Sequence, residues 1–159
     1  MKTTLVAASA LAALSLAACG QKSTEPTSAA AAAGITLSEG WCRAAPKQAT
    51  AASCFIVVTN GGPADDRLLG GQSSAAGEVQ VHETYADGNI LRMRAIDGLA
   101  IPASKSVTLA PGGNVVRLVG LTAPTVVGAT LPVTLRFEQA GEKQVLFPVR
   151  VEATEDPAG

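Results

Sequence analysis

Glu78-Val79-Gln80-Val81-His82-Glu83-Thr84-Tyr85-Ala86-Asp87-Gly88-Asn89-Ile90-Leu91-Arg92-Met93-Arg94 reads as two β runs joined by a tight turn. Val79 and Val81 alternate with Gln80 and His82, the period of a half-buried strand. Asp87-Gly88 between two such runs is a strong two-residue hairpin signal, because glycine accepts the positive φ that the tightest turns need. With Asp87-Gly88 as the loop, Glu83 faces Arg92, Val79 faces Ile96 and His82 faces Met93.

The same grammar extends outward. From Ile35 onward no helical period persists, and short β-rich runs alternate with Gly, Pro and Asn/Asp signals, the pattern of an all-β sandwich or barrel. Candidate strands span 35–45, 51–60, 66–72, 78–86, 89–97, 105–110, 114–121, 130–139 and 144–153. Asn60-Gly61-Gly62-Pro63 and Pro111-Gly112-Gly113-Asn114 are further turns. Pro132 and Pro148 lie within two late strands and are expected where the ladder is one-sided, since proline cannot donate. The chain of 159 residues suits one domain, at 35–153, with a frayed tail at 154–159.

Residues 1–18 read as an export signal. Lys2 precedes an Ala/Leu-rich run too short to span a membrane as a helix. The run ends Leu16-Ala17-Ala18-Cys19-Gly20, which resembles the bacterial lipobox and implies lipidation of Cys19. The alternative is an ordinary secretory signal with an incidental cysteine. Gly20 after the cysteine is compatible with outer-membrane sorting in bacterial lipoproteins. Residues 19–34 are then the lipidated cysteine and a flexible Ser/Thr/Ala-rich tether. Among the remaining residues Cys42 and Cys54 come opposite each other if 46–50 is the connecting loop, close to the geometry of a disulfide. An exported chain favours that bridge; a redox pair or thiolate metal site is the alternative.

Composition narrows the chemistry. Net charge is −1, with no basic footprint for nucleic acid, and the only membrane link expected is the lipid. With Cys19 assigned to lipid, one His and two Cys are too few for a zinc site of the finger or ribbon type, which needs four Cys or His ligands, and one His excludes any triad that needs a second. No activated nucleophile or orienting carboxylate stands at an obvious spacing from His82, so an enzyme is not expected. Trp41 is expected in the core and Tyr85 at the hairpin end. His82 beside Met93 is a soft ligand pair suited to Cu(I), although such a pair can also simply pack.

Further pieces are Trp41-Cys42-Arg43, Asp66-Arg67-Leu68-Leu69, Val81-His82-Glu83, Leu91-Arg92-Met93-Arg94, Gly98-Leu-Ala-Ile-Pro102, Val107-Thr-Leu-Ala-Pro-Gly-Gly113, Gly120-Leu121 and Leu131-Pro-Val-Thr-Leu-Arg-Phe137. In this order they resemble the PCu(A)C family of periplasmic copper chaperones. The resemblance implies a cupredoxin-like or immunoglobulin-like β-sandwich of about eight or nine short strands. The family motif for Cu(I) is His, ten residues, Met, twenty-one residues, then His-x-Met. His82 and Met93 match its first two positions, while Val115 and Arg117 stand where the second His and Met would be. Val115 has no lone pair and Arg117 brings a permanent positive charge. The site implied is a weakened one, with open positions for water or a partner's ligand. Arg117 is expected to turn to Glu83 or Asp87. The family implies a periplasmic carrier, here anchored by lipid at Cys19, that passes copper to a copper-accepting protein, such as a terminal oxidase assembly site, or to a companion metallochaperone. The competing expectation is a metal-free binding module, in which the degenerate site is a protein-contact surface.

Overall fold

The structure, a computed structural model, describes residues 34–151. The signal segment, Cys19, nearly all of the tether and the 154–159 tail lie outside the described residues. Ten strands are formed: β1 (Ile35–Arg43), β2 (Ala51–Asn60), β3 (Asp66–Ser73), β4 (Ala76–Asp87), β5 (Ile90–Ile96), β6 (Leu99–Ile101), β7 (Lys105–Leu109), β8 (Val115–Leu121), β9 (Thr130–Phe137) and β10 (Gly141–Arg150). Nine follow the runs legible in the sequence. The tenth, β6, fills the three residues between Gly98 and Pro102, too short to show a period.

These strands form one continuous ladder in the order β5-β4-β8-β2-β1-β10-β9-β3-β6, and β3 also pairs with β4. Seven strands therefore close into a barrel, with β5, β6 and β7 attached to β4, β3 and β2. This differs from the two separate sheets expected of a sandwich. The seam explains the closure. Gly71 pairs with Leu135 of β9 and with Val79 of β4, so β3 is bonded on both sides. A Cβ on Gly70 would lie 2.7 Å from the Val79 carbonyl oxygen, and Gly70 has φ +123°. One on Gly71 would collide with the Thr134 carbonyl. Two glycines thus let three backbones approach, and closure pairs the stretches of β3 and β4 that would otherwise be open edges.

Alternation fills the interior. Val79 and Val81 of β4, Val116 and Leu118 of β8, and Ile56 and Val58 of β2 point inward and are at most 6% exposed. A bulge in β1 sets the parity of the other wall. Ser38 pairs with Val57 and Trp41 with Phe55, so one extra residue is inserted, with Glu39 at φ 55°. The insertion turns Cys42 inward and Trp41 and Arg43 outward. Cys42 faces Cys54 across β1–β2, both fully buried and joined as a disulfide, as the loop count predicts. Trp41 is therefore not a core residue as expected; it tilts against Phe55 on the outer face at 4.7 Å between ring centroids.

Both strand prolines sit where one neighbour is missing. Pro132 precedes the stretch of β9 that pairs with β3, and Pro148 precedes the stretch of β10 that pairs with β1. One barrel end is pinned by polar groups. The buried Asp66 carboxylate accepts from the backbone N–H groups of Arg67, Gln139 and Ala140. The buried Asn60 amide donates to the carbonyls of Ala64 and Ile101 and accepts from Gly62 N–H. Burying these groups is tolerable only because each is so satisfied.

Candidate metal site

The hairpin β4–β5 forms, but its register differs from expectation by two residues. Asp87 pairs with Ile90, so the loop is Gly88-Asn89. Gly88 has φ 63°, which suits the first central position of a type II′ turn. His82 consequently faces Ala95, and Met93 faces Thr84. Glu83 faces Arg94 rather than Arg92, and Val81, not Val79, faces Ile96. A shift of two preserves the faces, so His82 and Met93 remain on the same side as diagonal neighbours, a separation of about 7–8 Å that long side chains bridge. Met93 is 43% exposed on β5, outside the closed ring.

Across the other edge of β4, His82 pairs with Val115 and Gln80 pairs with Arg117. The outer face thus gathers all four positions: His82, Met93, Val115 and Arg117. The Pro111-Gly112-Gly113 turn lies beside them, tied to β4 by the Thr84 hydroxyl donating to the Gly113 carbonyl at 2.8 Å.

Arg117 does not pair with Glu83 or Asp87. Arg94 reaches Glu83 at 2.6 Å and Arg92 reaches Asp87 at 2.6 Å, both within the hairpin. Arg117 instead extends over β2, where its Nη1 lies 3.4 Å from Ser53 Oγ. The Tyr85 ring at the hairpin lies under the Arg94 guanidinium at 4.9 Å.

Three side chains on alternate residues of β4 fix the state of the imidazole. Gln80 Nε2 donates to Glu78 Oε2 at 2.6 Å. The carboxylate only accepts, so the amide NH2 must face it and Oε1 must face His82. His82 Nε2 lies 2.9 Å from Gln80 Oε1 and therefore carries the proton. Nδ1 is left with its lone pair, buried and without a hydrogen-bond partner among the described residues. Burial, and secondarily the Arg117 charge, lower the His82 pKa from 6.5, so the ring is neutral at pH 7. An oriented neutral imidazole is what a metal requires of a histidine, and a hydrogen bond to the non-ligating nitrogen is its usual support.

The donors are thus one imidazole nitrogen and one thioether. No group of three or more His, Cys, Asp or Glu side chains that could hold a metal exists among the described residues. The set fits a soft, low-coordinate ion and cannot close around zinc. Sequence reading found His82, Met93, Val115 and Arg117 but missed Glu78, Gln80 and Ser53. The first two were accessible as i−4 and i−2 on the face of His82; Ser53 follows only from cross-strand register.

Known proteins resemble this chain in sequence and in fold. The family model described as "Putative lipoprotein LpqE-like" matches residues 35–149. A curated relative, "Putative lipoprotein Lxx21020" of Leifsonia xyli subsp. xyli, is 39% identical over 118 residues, covering 74% of this chain and 70% of its own. Among solved structures, the copper-bound PCuAC domain from PmoF2 superposes with a TM-score of 0.65 at 31% identity, covering 74% of this chain and 93% of that domain. The solution structure of CuI-DR1885 from Deinococcus radiodurans shares the fold, with a TM-score of 0.61 at 24% identity over 80% of this chain and 87% of that one.

Proposed function

The chain belongs to the LpqE-like lipoprotein family, and from that premise we propose that it is an exported carrier, anchored to a membrane by lipid at Cys19, that binds Cu(I) weakly through His82 Nδ1 and Met93 Sδ. Its compartment is the periplasm, at the outer membrane. The observation that carries the reading is the fixed, unprotonated Nδ1 on the same face as the neighbouring strand's thioether. The likeness to a copper-bound PCuAC domain supports it.

Two ligands hold Cu(I) and leave room for a third. A recipient's thiolate, imidazole or thioether adds to the exposed side, passes the ion through a three-coordinate state, and displaces Met93 and then His82. Release to a copper-accepting protein, such as an oxidase assembly factor or a companion metallochaperone, then needs no redox step. Cu(I) titration of the chain against a competing chelator tests this. His82→Ala and Met93→Leu should each abolish or sharply weaken uptake; no uptake by the native chain would remove the carrier role.

Val115 and Arg117 favour a second reading. Val115 is 3% exposed and fills a family ligand position with methyl groups. Arg117 repels a cation from another. On this reading the chain is a metal-free binding module, and the same face contacts another protein.

A further inference from the structure

Sulfur occupies two opposite environments in this fold. Cys42 and Cys54 are fully buried and bonded to each other. Met93 is the only methionine among the described residues, and it is exposed. Its strand, β5, ends the ladder with β4 as its one neighbour, and every residue from Ile90 to Ala95 is exposed. Met93 is also absent from the packed core. An oxidant in solution therefore meets one accessible thioether in the described fold, on the face of the hairpin that carries His82.

Coordination and oxidation compete for that sulfur. A thioether binds Cu(I) by donating a sulfur lone pair. Peroxide attack also starts from a sulfur lone pair. The S–O bond forms, the O–O bond breaks, and the second peroxide oxygen leaves as water with both protons. Sulfur is oxidised by two electrons and the peroxide is reduced. The product, methionine sulfoxide, is polar and offers a hard oxygen, which leaves the imidazole as the one soft-metal donor of the pair. A bound ion, in turn, draws electron density from the sulfur and covers it, so attack slows.

We propose that Met93 is a reversible oxidation site, with a peroxide as oxidant, that switches the chain between a Cu(I)-binding and a non-binding form. The proposal rests on the carrier reading and adds its regulation. The barrel keeps its packing through the change, because Met93 fills no core position. The imidazole keeps its orientation, because Gln80 holds Nε2 whatever the state of the sulfur. A methionine sulfoxide reductase supplied with a dithiol returns the thioether, and the oxygen leaves as water.

The test uses the full chain and Ag(I), a soft ion of the same charge as Cu(I) that does not cycle with peroxide. Hydrogen peroxide should add one oxygen at Met93, which peptide mass mapping separates from Met1. With the site about nine-tenths occupied by Ag(I), oxidation should slow about tenfold, since only the free fraction reacts. His82→Ala should remove that protection. The oxidised chain should lose Ag(I) uptake as fully as Met93→Leu, keep the native urea midpoint, and regain uptake after the reductase. Native-level uptake by the oxidised chain, with Met93→Leu weakened, overturns the switch alone. So does a Met93 that stays unoxidised where free methionine reacts, or an oxidised chain that unfolds. Native-level uptake by Met93→Leu, or no uptake by the untreated chain, overturns the carrier's ligand pair and the switch with it.

Discussion

Val115 stands directly across the β4–β8 ladder from His82 and is 3% exposed, so an apolar side chain is packed where the wall of the site could carry a ligand. Arg117, two residues along the same face, reaches away to Ser53. The face is therefore built, oriented and half-furnished.

Restoring the missing donors should strengthen the site. The double substitution Val115→His/Arg117→Met is expected to raise Cu(I) affinity at least about tenfold, equivalent to about 1.4 kcal/mol. Competition against a Cu(I) chelator measures it. An unchanged affinity would mean that these positions do not face the ion.

Gln80 is expected to act through the imidazole. Gln80→Leu removes the acceptor that keeps the proton on Nε2, and supporting hydrogen bonds of this kind are typically worth 10–100-fold in metal affinity. The variant should lose affinity in that range while retaining its fold. Its imidazole 15N shifts should show a mixture of tautomers, a change that a purely structural role for Gln80 would not produce.

The pH dependence follows from the lowered pKa of His82. Burial is the larger cause and the Arg117 charge the smaller. An NMR titration should give a midpoint below 6.5, and Arg117→Met should move it only part of the way back. In the unfolded chain the ring protonates near 6.5, and in the folded chain at lower pH. The stability due to the neutral ring is thus complete above 6.5 and is lost as pH falls through the folded pKa. Urea midpoints of the native chain, compared with His82→Ala, should diverge only below pH 6.5.

The disulfide joins two residues of the closed core. Replacing both cysteines by serine should cost about 3 kcal/mol by the loop-entropy estimate, and more if the serine hydroxyls find no partner. Urea unfolding reads this directly, and a loss below about 1 kcal/mol would mean that the bridge adds little to the barrel.

How much the sequence showed varied with how local each feature is. The strands were legible because alternation and turn residues are local, and the Cys42–Cys54 pairing because one short loop fixes it. The hairpin was legible but its register was not. Asp87-Gly88 and Gly88-Asn89 are both competent two-residue turns that place glycine at a positive φ, and only the Asp87–Ile90 pairing distinguishes them. That slip of two left the shared face of His82 and Met93 intact. Barrel closure was hidden, since it depends on β3 meeting two partners distant in sequence across Gly70 and Gly71. Trp41 was misplaced because the bulge at Glu39 reverses parity midway through β1. Arg117 was matched to carboxylates near His82, but these were already held by hairpin arginines.

The scarcity of soft ligands makes Cu(I) binding at His82 and Met93 directly measurable. His82 is the only histidine, and Met93 is the only methionine besides Met1. Long-range 1H–15N correlation of the imidazole, with the Met93 methyl signal, can be recorded before and after one equivalent of Cu(I). A large upfield change at Nδ1, a retained proton on Nε2 and a shifted Met93 methyl are expected. Unchanged nitrogen and methyl signals, or a change at Nε2 in place of Nδ1, would contradict Cu(I) binding through this pair.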